Sequence, residues 1–244
     1  MQSVLYMKTT VLIGCSSYYN KSWKGFFYPD DLPSSKWFEY YCRYFDTFEI
    51  NATFYKFPTK RILKNWYDKT PNHFTLSLKV PKEITHIKKL TSCDTLISDF
   101  YTLCHENLKE KLGCILFQFP PSYKFSLENL ERIIQSLNTN YKNVIEFRHD
   151  SWWNITVYDE FLKNNISFCS ISHPKLPDTL FTQFPQIYLR LHGTPNMFYS
   201  SYSSIELRKF KEIVFNKNAF IYFNNTASTA GIENALLLKK WIQH

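Results

Sequence analysis

Glycine is scarce in this chain, with five residues in 244, and none falls in a GxGxxG, GxxxxGK(S/T) or GxSxG pattern. Those patterns serve backbone that must approach a phosphate, or a nucleophile held on a tight turn. Their absence takes most of the weight from dinucleotide, P-loop and esterase-elbow readings. Long hydrophobic runs are also missing. Nothing approaches the roughly 18 apolar residues of a membrane span, and the opening MQSVLYMKTT lacks the apolar stretch of a secretion signal. The expectation is a soluble, cytoplasmic protein with no membrane partner. The six cysteines (Cys15, Cys42, Cys93, Cys104, Cys114, Cys169) form no CxxC pair and several sit in apolar runs. Buried, reduced thiols are expected rather than disulfides or a zinc knot. There is no HExxH and no close His/Asp spacing, so no cofactor is evident and a metal is the minor alternative.

Negative charge is in deficit too: 21 Asp+Glu stand against 29 Lys+Arg, a formal net charge of +8. That balance favours anionic partners, although Lys88-Lys89 and Lys239-Lys240 read equally well as solvated helix faces. The excess of Phe, Tyr, Asn and Lys suits base stacking or simply an AT-rich genome, which keeps nucleic acid open as a partner. Composition that is 44% hydrophobic and 18% aromatic excludes disorder. Met7 directly precedes Lys8 and the first apolar run, so residues 1–10 read as an N-terminal tail and 11–244 as one domain. Oligomeric state leaves no trace in the sequence.

What the chain does have is eight short apolar runs, at 11–15, 46–51, 74–80, 114–119, 143–148, 166–170, 186–192 and 219–224. Each has strand length, and most spacers hold a crossover helix. Helices are predicted at 34–45, 59–69, 93–112, 126–137, 157–164, 203–214 and 228–242. Ser34 and Ser126 are candidate caps, and Leu127, Leu130, Ile133, Ile134 and Leu137 share one face. Alternation of β and α without a linker predicts an α/β fold, a TIM-like (β/α)8 barrel of parallel strands and outer helices. An open doubly wound sheet is the alternative.

Parity inside the runs separates a greasy face from a polar one, because successive strand side chains point to opposite sides. Phe48 and Ile50 oppose Glu49 and Asn51; Leu76 and Leu78 oppose Ser77 and Lys79; Ile145 and Phe147 oppose Glu146 and Arg148. Leu189 and Leu191 oppose Arg190 and His192, Ile221 and Phe223 oppose Tyr222 and Asn224, and Gln118 ends the fourth run. Helices can cover only the greasy face, so the polar one is predicted to line the barrel and to gather at the strand C-terminal ends, where barrel active sites form. Internal ion pairs without chemistry are the structural alternative.

The segments IGCSSYYNKSWKGFFYP, FEINATFYKFP, ITHIKKL after the Lys79 strand, FQFPPSY, IEFRHDSWW, YLRLHGT, IYFNNTAS and the following ENALLL occur in order over about residues 11–242. Together they resemble the domain of unknown function 72 family. The resemblance implies a TIM-barrel-like fold and supplies no reaction. Motif positions include Trp23, Gly25, Tyr28, Pro29, Glu49, Asn51, Phe54, Tyr55, Lys79, His86, Gln118, Glu146, Arg148, His149, Trp152, Arg190, His192, Asn224 and Asn225. The chain departs from the family at Thr226-Ala227-Ser228, where an acidic residue and glycines are usual, and at Cys15-Ser16-Ser17, where a more Gly-rich turn is common.

Lys79, Arg148 and Arg190 outnumber Glu49 and Glu146 at the predicted mouth. Guanidinium forks suit carboxylate or phosphate, so the expected ligand is a small anionic molecule turned over by acid–base chemistry. Glu146, Glu49 and His192 are the candidate catalytic residues. Candidate binding residues are Lys79, Arg148, Arg190, Asn51, Gln118, Asn224, Asn225, Tyr28, Tyr55, His86, His149 and Trp152. Burial raises a Glu pKa while Arg lowers it, so the sign for Glu146 is not readable from sequence. Residues 226–229 precede the last helix, whose amides are a further candidate anion site. The mouth aromatics Tyr18, Trp23, Tyr28, Phe54, Tyr55, Trp152 and Trp153 form either a stacking wall or a plug, whereas Trp37, Trp66 and Trp241 read as helix packing. A nucleic-acid-processing protein and a non-catalytic ligand-binding module are the alternative functions.

Overall fold

The computed structural model describes residues 9–243; most of the expected tail lies outside them. The described residues hold nine strands, β1 Val11–Cys15, β2 Thr47–Ile50, β3 Thr75–Lys79, β4 Leu112–Gln118, β5 Asn143–Glu146, β6 Ser167–Phe168, β7 Ser170–Ser172, β8 Ile187–Leu191 and β9 Ala219–Phe223, with helices between them except from β6 to β8. The helices are α1 Trp37–Tyr41, α2 Ala52–Tyr55, α3 Lys60–Lys69, α4 Asp94–Leu108, α5 Leu127–Ser136, α6 Ile155–Lys163, α7 Ser204–Ile213 and α8 Ala230–Gln243. Side-chain oxygens start four of them. Thr59, Ser126, Asn154 and Ser203 accept from backbone N–H groups one turn in, and Ser203 with Glu206 completes a capping box. Leu130 and Ile133 of α5 are buried, while Leu127, predicted on the same face, is exposed.

Every strand pair is parallel. The ladders form two sheets, β1-β9-β8-β7 and β2-β3-β4-β5-β6. Cys169 alone separates β6 from β7, so one extended segment carries the chain from one sheet into the other. The sixth predicted run thus continues past residue 170. The order is that of a TIM-like α/β fold, with one seam where β1 and β2 lie side by side without a ladder.

A tyrosine hydroxyl occupies that seam. Tyr41 Oη accepts from the Cys15 N–H at 2.7 Å and donates to the Thr47 carbonyl at 3.1 Å. The approach is close enough that a Cβ on Gly14 would stand 2.3 Å from Thr47 O, so only glycine fits. Beside it, inside the ring, Tyr222 Oη lies 2.6 Å from Thr47 Oγ1 and 2.9 Å from Ser77 Oγ.

Two apolar populations follow from strand parity. Ile13, Phe48, Ile50, Leu76, Leu78, Ile115, Phe117, Ile145, Leu189, Ile221 and Phe223 face the helices in the larger core. Cys114, Leu116, Val144, Cys169, Ile171, Tyr188, Phe220 and Tyr222 fill the interior. The inner face is therefore not polar throughout; apolar side chains occupy its lower levels and charge its upper ones. All six cysteines are buried and free. Among the described residues no helix is long and apolar enough to cross a membrane.

Tyr41→Phe removes the seam bridge and leaves the buried Cys15 N–H without its acceptor. The expected loss is ~1–3 kcal/mol, read as a fall of several degrees in Tm by calorimetry. An unchanged Tm would show that the hydroxyl does not hold the seam.

Candidate functional site

Parity points Glu49, Lys79, Gln118, Glu146 and Arg190 inward, and Asn51, Arg148, His173, His192 and Asn224 follow just beyond the strand ends. Arg190, 1% exposed, is the centre. Its Nε and Nη2 donate to the two oxygens of Glu49 at 2.9 and 2.7 Å, and its Nη1 donates to Glu146 Oε2 at 2.6 Å. Both carboxylates are 0% exposed. Tyr188 Oη donates to Glu49 Oε2 at 2.6 Å and Asn51 Nδ2 to Glu49 Oε1 at 3.2 Å. Arg148 Nε donates to the remaining oxygen of Glu146 at 2.5 Å. Two guanidiniums and two carboxylates so neutralise one another. That is the condition for burying charge, and each oxygen keeps a charge-assisted hydrogen bond.

The pKa shifts follow from this chain of contacts. Burial disfavours ionised Glu146, but Arg148, Arg190 and His192 outweigh it and hold the carboxyl well below the usual range. Burial likewise opposes charge on Arg190, and Glu146 and Glu49 keep it protonated. His192 is 0% exposed, and burial pushes it down to about 3 despite Glu146. Asn224, whose Oδ1 accepts from Ser16 Oγ, donates Nδ2–H to His192 Nδ1 at 2.7 Å. The His192 Nε2 lies 3.2 Å from Arg148 Nη2 and 3.5 Å from Glu146 Oε1.

Above this network opens a cavity of about 650 Å³, within the range of small-molecule sites. Lys79, Arg148, Lys175 and Arg190 line it, and no Asp or Glu does; Asn51, Gln118, His173 and Asn224 supply neutral polar groups. Phe54, Tyr55, Leu176, Met197 and Phe198 form the apolar wall. Lys79 Nζ stands 3.9 Å from the Phe54 ring centroid and makes no hydrogen bond or ion pair among the described residues. Burial and then Arg190 draw its pKa down to about 8, against Glu146 and Glu49. His86 packs edge-on to Phe54, and burial and the Lys79 charge push it down to about 4. The Asn51 Oδ1 is buried with no donor.

Of the sequence candidates, Lys79, Arg148, Arg190, Asn51, Gln118, Asn224 and Tyr55 line the cavity, while Glu49, Glu146 and His192 are not among its lining residues. Others stand elsewhere. Tyr28 stacks on Trp37 at 4.6 Å and donates to the Tyr18 carbonyl. Trp152 stacks on Phe147 at 3.9 Å and donates to the Tyr123 carbonyl. Both serve the outer core, because the turns that carry them fold back over helices. His149 caps a short turn at Asp150–Trp152. Asn225 is buried and donates to the Ser200 carbonyl. The start of α8 packs on Asn225 and Trp23, as the Gly231 and Ser228 contacts show, and residues 226–231 do not line the cavity. The sequence reading missed His173, Lys175, Met197 and Phe198. His173 was accessible to it: Cys169, Ile171 and His173 continue one inward parity once the sixth run is extended. Among the described residues no three His, Cys, Asp or Glu side chains are grouped as a metal site.

The family model described as Protein of unknown function DUF72 matches residues 12–244. The UPF0759 protein YecE of Escherichia coli strain K12 is 28% identical over 116 residues, 47% of this chain and 42% of that protein. The UPF0759 protein YunF of Bacillus subtilis strain 168 is 28% identical over 145 residues, 55% of this chain and 50% of that one. The matched stretch thus spans half or less of these curated relatives. A DUF72 family crystal structure from Thermotoga maritima superposes with a TM-score of 0.85 at 30% identity, covering 96% of this chain and 99% of that one. A second, from Enterococcus faecalis, gives 0.79 at 19% identity over 96% of each chain, a likeness of fold alone.

Two outcomes are expected from the buried network. Arg190→Met strands two carboxylates and costs ~3–5 kcal/mol by chemical denaturation. Between pH 3 and 6.5 the unfolded His192 binds a proton that the folded one refuses, and the depressed Glu146 acts in the same direction below the ordinary carboxylate range. Stability therefore rises with pH in that window, by more than about 1 kcal/mol per pH unit where His192 dominates. His192→Gln should flatten the slope; an identical slope would contradict a neutral buried ring.

Proposed function

The chain belongs to the DUF72 family, and on that footing we propose that its strand-end cavity binds a small polar molecule through a phosphate or carboxylate group and conducts acid–base chemistry on it. One observation carries the proposal: four basic side chains and no acidic one line the cavity. The buried carboxylates beneath offset the two guanidiniums they hold, which leaves Lys79 and Lys175 as the net positive charge at the ligand. They also fix those guanidiniums in place, so little rotamer freedom is lost when an anion arrives. Arg148, 15% exposed in its side chain, is the fork that reaches the ligand, with Lys79 and Lys175 adding charge.

In this reading Glu49 and Glu146 orient Arg190 and Arg148, and His192 backs the same wall. Proton transfer falls to groups that the ligand can touch. Lys79, drawn down to about 8, is matched to proton transfer near neutral pH, and His173 stands across the cavity as a neutral partner, lowered first by burial and then by Arg148.

A thermal-shift and calorimetric panel of inorganic phosphate, small phosphorylated and carboxylated molecules, neutral sugars and amines tests this. Anions alone should stabilise the protein, and Arg148→Gln should weaken them roughly tenfold or more. Affinity should fall as pH rises through 8, when Lys79 loses its proton, and Lys79→Met should remove that dependence. No selective stabilisation by any anion would end the proposal. Tight single-stranded oligonucleotide binding that collapses with salt would transfer the site to nucleic acid.

A further inference from the structure

We infer that Lys79 is a nucleophile that forms a covalent imine with the carbonyl carbon of a small aldehyde or keto anion held at Arg148 and Arg190. This rests on the anion-binding reading and narrows the ligand to molecules that carry a reactive carbonyl beside the acidic group.

Two lysines in this fold show what distinguishes a structural amine from an available one. Lys111, 2% exposed, donates from Nζ to the carbonyls of Tyr67 and Thr70 at 2.8 and 2.6 Å and to the Thr70 hydroxyl at 3.2 Å. Its three protons are consumed and it pins the start of β4 to the end of α3. Lys79 lines the cavity and has no such partners. The two inner carboxylates are engaged by Arg190, Arg148 and Tyr188. Among the described residues the Lys79 ammonium has no hydrogen-bond or ion-pair partner, and its one packing contact is the face of the Phe54 ring.

Its surroundings favour the neutral form, which is the nucleophile. Burial is the largest cause, acting against the cation–π contact with the Phe54 ring at 3.9 Å, which favours the ammonium. The charged and titratable groups that act on it are Arg190 from β8, Arg148 beyond β5, Glu146 from β5 and Glu49 from β2, with His86 near the end of the segment that follows β3. Burial and the two guanidiniums prevail over the carboxylates. A desolvated lysine beside other cations is the usual way an amine is activated. The same guanidiniums anchor an anion in the one cavity, which brings a carbonyl on the same molecule to the amine.

The step balances without an added oxidant or reductant. The Nζ lone pair attacks the carbonyl carbon, the π pair moves to oxygen, and a proton passes from nitrogen to that oxygen to give a carbinolamine. The C–O bond then breaks, the oxygen leaves as water with a second proton, and the nitrogen lone pair closes the C=N bond.

The test incubates the full chain with glyoxylate and cyanoborohydride, or with acetaldehyde and cyanoborohydride, followed by peptide mass mapping. Glyoxylate should leave a carboxymethyl group on Lys79 at least roughly tenfold above any other lysine, with yield rising from about pH 7 to about pH 9. Inorganic phosphate should suppress it, acetaldehyde should label lysines without that preference, and Lys79→Met should lose the dominant site. If glyoxylate labels lysines in the same proportions as acetaldehyde while phosphate still stabilises the protein, the imine is refuted and the anion site stands. If phosphate gives no stabilisation and Lys79 stays unlabelled, both readings fall.

Discussion

A single guanidinium, that of Arg190, grips carboxylates from two strands that lie apart on the ring, and most of the upper interior is arranged around that contact. Glu49 on β2 and Glu146 on β5 are fully buried. Neither is tolerable there alone, since an unpaired buried carboxylate costs several kcal/mol. Arg190 answers both with three of its five donors, and Arg148 and Tyr188 take remaining oxygens. The result ties β2, β5 and β8 into one register while leaving almost no uncompensated charge inside.

The same economy explains the seam. The first and last strands of the ring, β1 and β9, are paired in parallel, so the gap falls between the first two. Here the strand order leaves β1 and β2 as neighbours without a ladder, and the Tyr41 hydroxyl stands in for the missing backbone partners. Gly14 permits the approach, and the Thr47, Tyr222 and Ser77 hydroxyls continue polar pairing on the inner side. Above the hydroxyls sits the ionic layer, and above that the cavity.

The cavity inherits its character from what lies below it. Because the carboxylates neutralise Arg148 and Arg190 in the floor, the net positive charge at the cavity is carried by Lys79 and Lys175. Structure and chemistry are thereby divided between residues of the same strands. Glu49 and Glu146 hold the guanidiniums, and Lys79, one step nearer the mouth on β3, lies against the Phe54 ring with no hydrogen-bond or ion-pair partner among the described residues. Two guanidiniums fixed in the floor and an amine laid on an aromatic ring therefore meet in one cavity.

Period-two alternation determined a great deal by itself. Ile–Val–Phe-rich runs of strand length could pack only against helices, so Phe48, Leu78, Ile145 and Leu189 identified the outer core, and by exclusion Glu49, Lys79, Glu146 and Arg190 the interior. The cap at Ser126 was written in the local pattern as well, because a side-chain oxygen and the amide it satisfies lie within one turn, whereas Ser34, expected to cap the first helix, falls inside a short turn before α1 and makes no cap bond. What the sequence did not contain was which inward residue meets which. That Arg190 sits between Glu49 and Glu146, that Lys79 is left out, and that Tyr28 and Trp152 turn back into the outer core depend on ring closure. So does the arrival of His173 and Lys175 at the mouth. Parity fixes the side of a strand on which a group lies, whereas contact between distant strands is set by the stagger of the whole ring, which no local stretch encodes.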